Sequence, residues 1–328
     1  MEIQNEQSSE PAGAERAFPS VPLNTASTAS IFIVLLFGIG AITITQASFL
    51  ENPKTQVVAA AAAPNPYADI TLTAKSAIVV DLTSGEALFA LNPDSQLPLA
   101  SLTKIALVLA VSEALPLNSV LPITQDITSA RGSPLLSKGE VWRVQDIIDV
   151  VLMASSNDGA EFLAKIAGDS LRERFPEAPD SATLWRMNEL TRELEALRTY
   201  FLNVNGLDIS NTLAGGYGSA RDMATLFIHA FKTNPAVFSG TARREISLVS
   251  AEGHETIIRN TNEIEGVIPG LIMGKTGFTD LAGGNLAVIF DVGIAHPTVA
   301  VVLGSTQEGR FEDMKKLVEA ARATIASE

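Results

Sequence analysis

Ser76-Ala77-Ile78-Val79-Val80-Asp81-Leu82 (SAIVVDL) is rich in β-branched side chains, and the partners it finds decide the fold. A second β-rich run, Ala87 to Leu91, follows the spacer Thr83-Ser84-Gly85-Glu86, which predicts a hairpin. Two more runs, Asn285 to Asp291 (NLAVIFD) and Thr298 to Leu303 (TVAVVL), are broken by Gly293 far downstream and predict a second pair. Between the pairs the apolar spacing becomes helical over Leu102 to Ala114, Val144 to Met153, Ala160 to Ile166, Thr183 to Leu197 and Ala220 to Phe231. A last helical pattern runs from Phe311 to Ile325. Strands at both ends around a helical middle predict an α/β (α+β) architecture, in which returning strands complete one antiparallel sheet flanked by helices and a helical subdomain lies beside it. No internal repeat is visible.

Upstream of this block the composition changes. No Asp, Glu, Lys or Arg occurs between Arg16 and Glu51, and Ile31 to Ile44 is almost wholly apolar, extended by Thr45 to Leu50. A bilayer needs about 20 mostly apolar residues, so residues 29–50 are expected to form a transmembrane signal anchor after a short tail, 1–28. A cleaved signal peptide is the competing account, but a long leading segment without a basic cluster fits it poorly. Glu2, Glu6, Glu10 and Glu15 against Arg16 give no positive-inside signal. Residues 51–73, rich in Ala, Pro and Asn, are expected to tether a folded domain over 74–328 to the membrane. The expected location is the cell membrane, single-pass, with that domain extracytoplasmic.

Composition removes several chemistries. The 328 residues carry 37 acidic and 23 basic side chains, a formal charge of -14, and no Lys/Arg cluster interrupts it, so nucleic acid is not an expected partner. There is no cysteine, which excludes disulfides, thiolate catalysis and cysteine-ligated metal centres. No metal ligand set or cofactor motif is read. His229, His254 and His296 fall in no Gly-x-Ser-x-Gly or His-Glu-x-x-His context and are expected to be ordinary surface or core residues.

Three short motifs remain. Ser101-Leu102-Thr103-Lys104 opens the most apolar helical stretch of the folded part, SLTKIALVLAV, which is expected to be buried. Residues three apart share a helical face, so the Ser101 hydroxyl and the Lys104 amine can be neighbours. Such a lysine can take the serine proton if burial depresses its pKa towards neutrality. Ser155-Ser156-Asn157 stands at a corner between two helical runs, where it could cap a helix or offer a hydroxyl and an amide to a substrate. Lys275-Thr276-Gly277 follows an apolar stretch and reads as a strand, with Lys275 and Gly277 on one face and room beside the glycine for an extended peptide. Each motif alone is commonly structural: a cap with a solvated lysine, a helix corner, a charged edge residue. Together they occur once each, in this order, at intervals of 54 residues (101 to 155) and 120 residues (155 to 275), each at a suitable place.

With these motifs in place the sequence resembles the penicillin-recognising serine acyltransferases, specifically the low-molecular-mass D-alanyl-D-alanine carboxypeptidases of peptidase family S11. The likeness runs from about Ala74 onward and includes AKSAIVVDLTSGEALFALNPDSQLPLASLTK, LSKGEVWRVQDIIDVVLMASSNDGAEFLA, FLNVNGLD, GSARDMATL and MGKTGFTDLAGG. It implies a β-lactamase/transpeptidase-like fold. It also implies Ser101 as acylated nucleophile, Lys104 as its base, Ser155 and Asn157 as proton relay and substrate ligand, and Lys275 with Thr276 as carboxylate anchor. Gly277 would border the substrate, and the backbone N–H groups of Ser101 and Phe278 would form an oxyanion hole. The implied partners are peptidoglycan stem peptides ending in D-Ala-D-Ala, β-lactams as inhibitors, and the membrane through the N-terminal helix. Phe278 stands where the family often has histidine or tyrosine, Ser156 where it has a small residue, and many members carry a C-terminal β-domain with an amphipathic anchor. The N-terminal span would replace that anchor here. Two rivals remain, a serine β-lactamase and a catalytically silent penicillin-binding sensor or scaffold. Between Ser155 and Lys275 no Glu-x-x-Leu-Asn loop supplies the lactamase's deacylating carboxylate, and retention of all three motifs argues against silence.

Overall fold

The structure, a computed structural model, describes residues 65–264, 266–293 and 295–327. The anchor expected over 29–50, the tail before it and most of the tether lie outside the described residues. Among the described residues no helix is long and apolar enough to cross a membrane.

SAIVVDL forms β1 (Ser76–Asp81) and pairs with β2 (Ala87–Leu91) in the expected hairpin. The downstream runs form β3 (Leu271–Thr279), β4 (Gly283–Asp291) and β5 (Pro297–Ser305). They complete a five-stranded antiparallel sheet in the order β3-β4-β5-β1-β2, with β5 beside β1 in the register Ile78 opposite Val301. The central strands read as continuous apolar runs because both faces of the sheet are covered. Val299, Val301 and Leu303 face one core, and Ala300 and Val302 the other. Period-two alternation therefore divides one strand between two hydrophobic clusters.

Among the described residues six α-helices cover the sheet or pack beside it: α1 (Thr103–Ala114), α2 (Val144–Met153), α3 (Asn157–Arg174), α4 (Ala182–Glu193), α5 (Ala220–Thr233) and α6 (Gly309–Ala326). Helix α6 closes one face with Met314, Leu317, Val318 and Ala321. The other face shares its core with α1 to α5, and α1 is buried from Thr103 through Val111, as its all-round apolarity demands. These helices and the sheet are the expected mixed α/β arrangement. The core also includes residues upstream of Ala74. Tyr67 stacks on Phe89 with ring centroids 5.4 Å apart, and the buried Asp313 carboxylate accepts the Thr73 and Ala74 amides at 2.9 and 2.8 Å. Apolar Tyr67, Ile70 and Leu72 drive that packing, so the Ala/Pro-rich composition stops describing the chain before residue 73.

Candidate active site

Ser101 lies on a 3-10 turn, Ala100–Leu102, one step ahead of α1 rather than inside it. The expected helix starts late because Ala100 has φ +49°, in the left-handed region, which turns the chain before the helix begins. Lys104, fully buried in the first turn of α1, still reaches back to the Ser101 Oγ at 2.9 Å. The same Nζ donates to Asn157 Oδ1 at 2.8 Å and to the Asn205 backbone carbonyl at 2.5 Å. Burial depresses the Lys104 pKa to about 7, against an opposing pull from Glu161.

The second motif divides its work. Ser156 is the helix cap: its Oγ accepts the Gly159 amide of α3 at 3.0 Å. Capping by Ser156 leaves the flanking side chains for other uses. Ser155, held at φ +55°, points its hydroxyl at the Lys275 Nζ, 2.9 Å away, while Asn157 faces Lys104.

The third motif lies on β3, the edge strand. Lys275 is not a solvated edge charge: it is 1% exposed and donates to Ser155 Oγ and, at 2.8 Å, to the Thr276 carbonyl. Burial, then Lys104, then Arg310 hold its pKa well below the usual lysine value. Thr276 points to the opposite side of the pleat, where its Oγ1 lies 2.6 Å from Thr261 Oγ1. Gly277 is a packing requirement, since a Cβ there would stand 2.9 Å from the Leu99 carbonyl and 3.2 Å from the Ser101 amide nitrogen. Its own carbonyl accepts from buried Arg310 at 2.8 Å. Phe278 is 45% exposed at the rim.

A loop over Asn203 to Asp208 joins these parts. Gly206, at φ +81°, lets the loop touch the serine turn; a Cβ there would stand 2.0 Å from the Ala100 carbonyl oxygen. Asp208 accepts from Thr279 Oγ1 at 2.9 Å and from the Leu281 amide at 3.2 Å, tying the loop to the end of β3. All three motifs thus meet in one cleft. No motif singles out Thr261, Asn205 or Arg310, although Asn205 falls within the FLNVNGLD segment. Asn205 acts through a carbonyl that every residue possesses, and the other two are single polar residues outside any pattern. The histidines lie elsewhere, His254 on Glu140 and His296 on Asp81. Among the described residues no cluster of His, Asp or Glu could hold a metal ion.

This arrangement can perform covalent acyl transfer. The Asn157 and Asn205 oxygens only accept hydrogen bonds, so among the described residues a neutral Lys104 finds for its lone pair the donor of the Ser101 hydroxyl.

Comparison with known proteins agrees. The family described as D-alanyl-D-alanine carboxypeptidase, peptidase family S11, matches residues 58–307. The chain belongs to this family. Among S11 carboxypeptidases it is 28% identical over 237 residues to DacB2 of Mycobacterium tuberculosis, covering 72% of this chain and 77% of that one. It is also 28% identical to a D-alanyl-D-alanine endopeptidase of Pseudomonas aeruginosa, covering 79% and 82%. The fold matches penicillin-binding protein D2 of Listeria monocytogenes, in its ampicillin-bound form, with a TM-score of 0.63 and 27% identity over 77% of this chain and 98% of that one.

Proposed function

We propose that this S11 peptidase is a serine D-alanyl-D-alanine carboxypeptidase that removes the terminal D-alanine from peptidoglycan stem pentapeptides, and that β-lactams acylate the same serine. The observation that carries the reading is the buried Lys104 amine, whose hydrogen-bonded partner able to give up a proton, among the described residues, is Ser101.

In this mechanism Lys104 takes the Ser101 proton as Oγ attacks the carbonyl carbon of the penultimate D-alanine. Negative charge moves to the carbonyl oxygen, where the Ser101 and Phe278 backbone N–H groups supply the oxyanion hole. The C–N bond then breaks, and the proton held by Lys104 returns to the departing amine by way of the Ser155 hydroxyl, which Lys275 orients. Free D-alanine leaves an ester on Ser101. Water attacks that ester, Lys104 again accepts a proton and passes it to Ser101 Oγ as the ester C–O bond breaks, and the tetrapeptide acid departs with Ser101 and neutral Lys104 restored. The paired Thr276 and Thr261 hydroxyls are the groups read as meeting the terminal carboxylate if the scissile carbonyl sits between Ser101 and Gly277, while Lys275 holds Ser155. A β-lactam follows the first half, but its amine stays attached to the opened ring. No step uses a metal or cofactor.

The uncharged window between Arg16 and Glu51 supports an anchor that holds the domain at the outer face of the cell membrane. A second reading rests on a cavity of about 390 Å³ beside this cleft, bordered by Ala154, Thr261, Asn260, Arg131 and Glu263. Space beyond Thr261 lies on the leaving-group side and supports cleavage of crosslinked stems, whose leaving amine carries a whole peptide.

Incubation of the purified protein with a muramyl pentapeptide, a crosslinked dimer and a fluorescent penicillin tests these readings. The expected products are tetrapeptide plus D-alanine and a long-lived covalent label. Absence of both overturns the proposal, rapid turnover of the label points to a β-lactamase, and an intact crosslinked dimer removes the second reading.

A further inference from the structure

Lys104 has a second layer of control outside the three motifs. Asn157 and Glu161 are four residues apart on α3 and so share a helical face. While Asn157 meets Lys104 directly, the exposed Glu161 extends to Asn205, accepting its Nδ2 at 2.8 Å through Oε1. Asn205 is itself 5% exposed, and its Oδ1 accepts the Leu207 amide at 2.8 Å. Both ends of that side chain are thereby fixed. Its backbone carbonyl is the group on which the Lys104 Nζ rests at 2.5 Å.

We propose that Glu161 is a positioning residue for acyl transfer: by gripping the Asn205 amide it holds the Asn205 carbonyl against the Lys104 amine, and its charge is the anionic counterweight to that buried amine. The inference rests on Lys104 acting as the base.

The surroundings leave this role to Glu161. Of the titratable groups near Lys104, Lys275 on β3 is basic, as is Arg310 on α6 behind it, and neither can act as a counter-anion. The other nearby carboxylates are engaged elsewhere: Asp158 of α3 accepts from the Thr128 amide and hydroxyl, and Asp208 of the loop accepts from Thr279 and Leu281. Glu161 raises the proton affinity that burial lowers. A mere loop pin would have no such effect.

Two variants separate charge from grip. Glu161→Gln keeps an oxygen able to accept from Asn205 but removes the charge, whereas Glu161→Ala removes both. The rate of covalent labelling by a fluorescent penicillin is measured for each across pH. In E161Q the acid limb is expected to shift to lower pH, because Lys104 loses its proton more readily, with a plateau within a few-fold of the parent. In E161A the same shift is expected with a lower plateau. An acid limb in E161Q that overlays the parent's overturns the electrostatic role, and equal plateaus in the two variants overturn the positioning role. If the parent takes no label at any pH, the acyl-transfer reading itself fails and this inference falls with it.

Discussion

The Ser155 hydroxyl lies 2.9 Å from the Lys275 amine although 120 residues separate them, and both groups are buried. Neither has an obvious structural purpose there. Ser156 already caps α3, and a lysine on an edge strand is ordinarily a solvated guard against aggregation. In the mechanism proposed above, this amine orients the hydroxyl that returns the proton to the leaving group. Ser155→Ala removes the hydroxyl and leaves Lys275 only the Thr276 carbonyl. Penicillin acylation and D-alanine release are expected to fall by about 10²-fold or more, the usual scale of a lost acid–base group. Stopped-flow labelling would measure it, and an unchanged rate would remove Ser155 from the reaction.

Ser101→Ala deletes the proposed nucleophile while leaving Lys104 its Asn157 and Asn205 acceptors. Labelling and D-alanine release should vanish, with stability within about 1 kcal/mol of the parent by urea denaturation, since one hydrogen bond is lost. Residual covalent label on the variant would show that another serine is attacked.

For Lys104 the sign of the pH effect follows from the buried amine. A lysine whose pKa is lowered to about 7 is protonated and unable to accept a proton below that value, and free to do so above it. Acylation is therefore expected to rise with pH through about 7 and then level. Lys104→Arg should abolish acylation at every pH examined, because a guanidinium does not deprotonate. A flat profile between pH 5 and 9, about two units either side of that midpoint, would mean that Lys104 is not the base.

Much of this cleft is visible in the residues themselves, for a reason that also sets the limit. Val144 to Met153 is helical over the very bounds its periodicity predicts, because a buried amphipathic face leaves a clear 3.6-residue signal. Helix α3 runs from Asn157 to Arg174 although only Ala160 to Ile166 is legible, since its second half carries Asp169, Arg172, Glu173 and Arg174 and shows water a polar surface. Short strand pairs such as Val120–Pro122 with Val141–Arg143 are too brief for any period to register. The motif side chains Ser101, Lys104 and Lys275 announce themselves by type and spacing. Thr261 does not, because its relation to Thr276 exists only after β3 has joined the sheet.

Gly206 is where packing and chemistry meet. At φ +81°, with the Ala100 carbonyl 2.0 Å from where a Cβ would stand, Gly206→Ala has to displace either its own loop or the turn that carries Ser101. The left-handed conformation alone costs a non-glycine residue about 1–3 kcal/mol. Denaturation midpoints should fall accordingly, and labelling should slow as the Asn205 carbonyl moves away from Lys104. A variant with the parent's midpoint and rate would show that the loop does not need this close contact.

Asp149 gives a stability prediction separate from the chemistry. It is 8% exposed on α2, its Oδ1 has no hydrogen-bond partner among the described residues, and that oxygen stands 2.6 Å from where a Cβ on Gly240 would be. Burial pushes its pKa up to about 7, with Asp146 adding to the rise while Gln145, Arg143 and Arg243 oppose it. An acid that ionises with more difficulty when folded favours the unfolded state as pH rises. Below about pH 4 both states hold the proton and there is no effect. Between about 4 and 7 the unfolded chain releases it first, and stability falls by about 1.4 kcal/mol per pH unit, on the order of 4 kcal/mol in all. Above about 7 both states are ionised and the loss is complete. Asp149→Asn cannot ionise, so its stability relative to the parent should climb across that window and then level off. Paired urea titrations at pH 4.5, 6 and 8, chosen to bracket the window, measure the difference between the two proteins, which cancels other titrating groups. A difference that stays constant over the three conditions would show that Asp149 ionises as easily in the folded protein as in water.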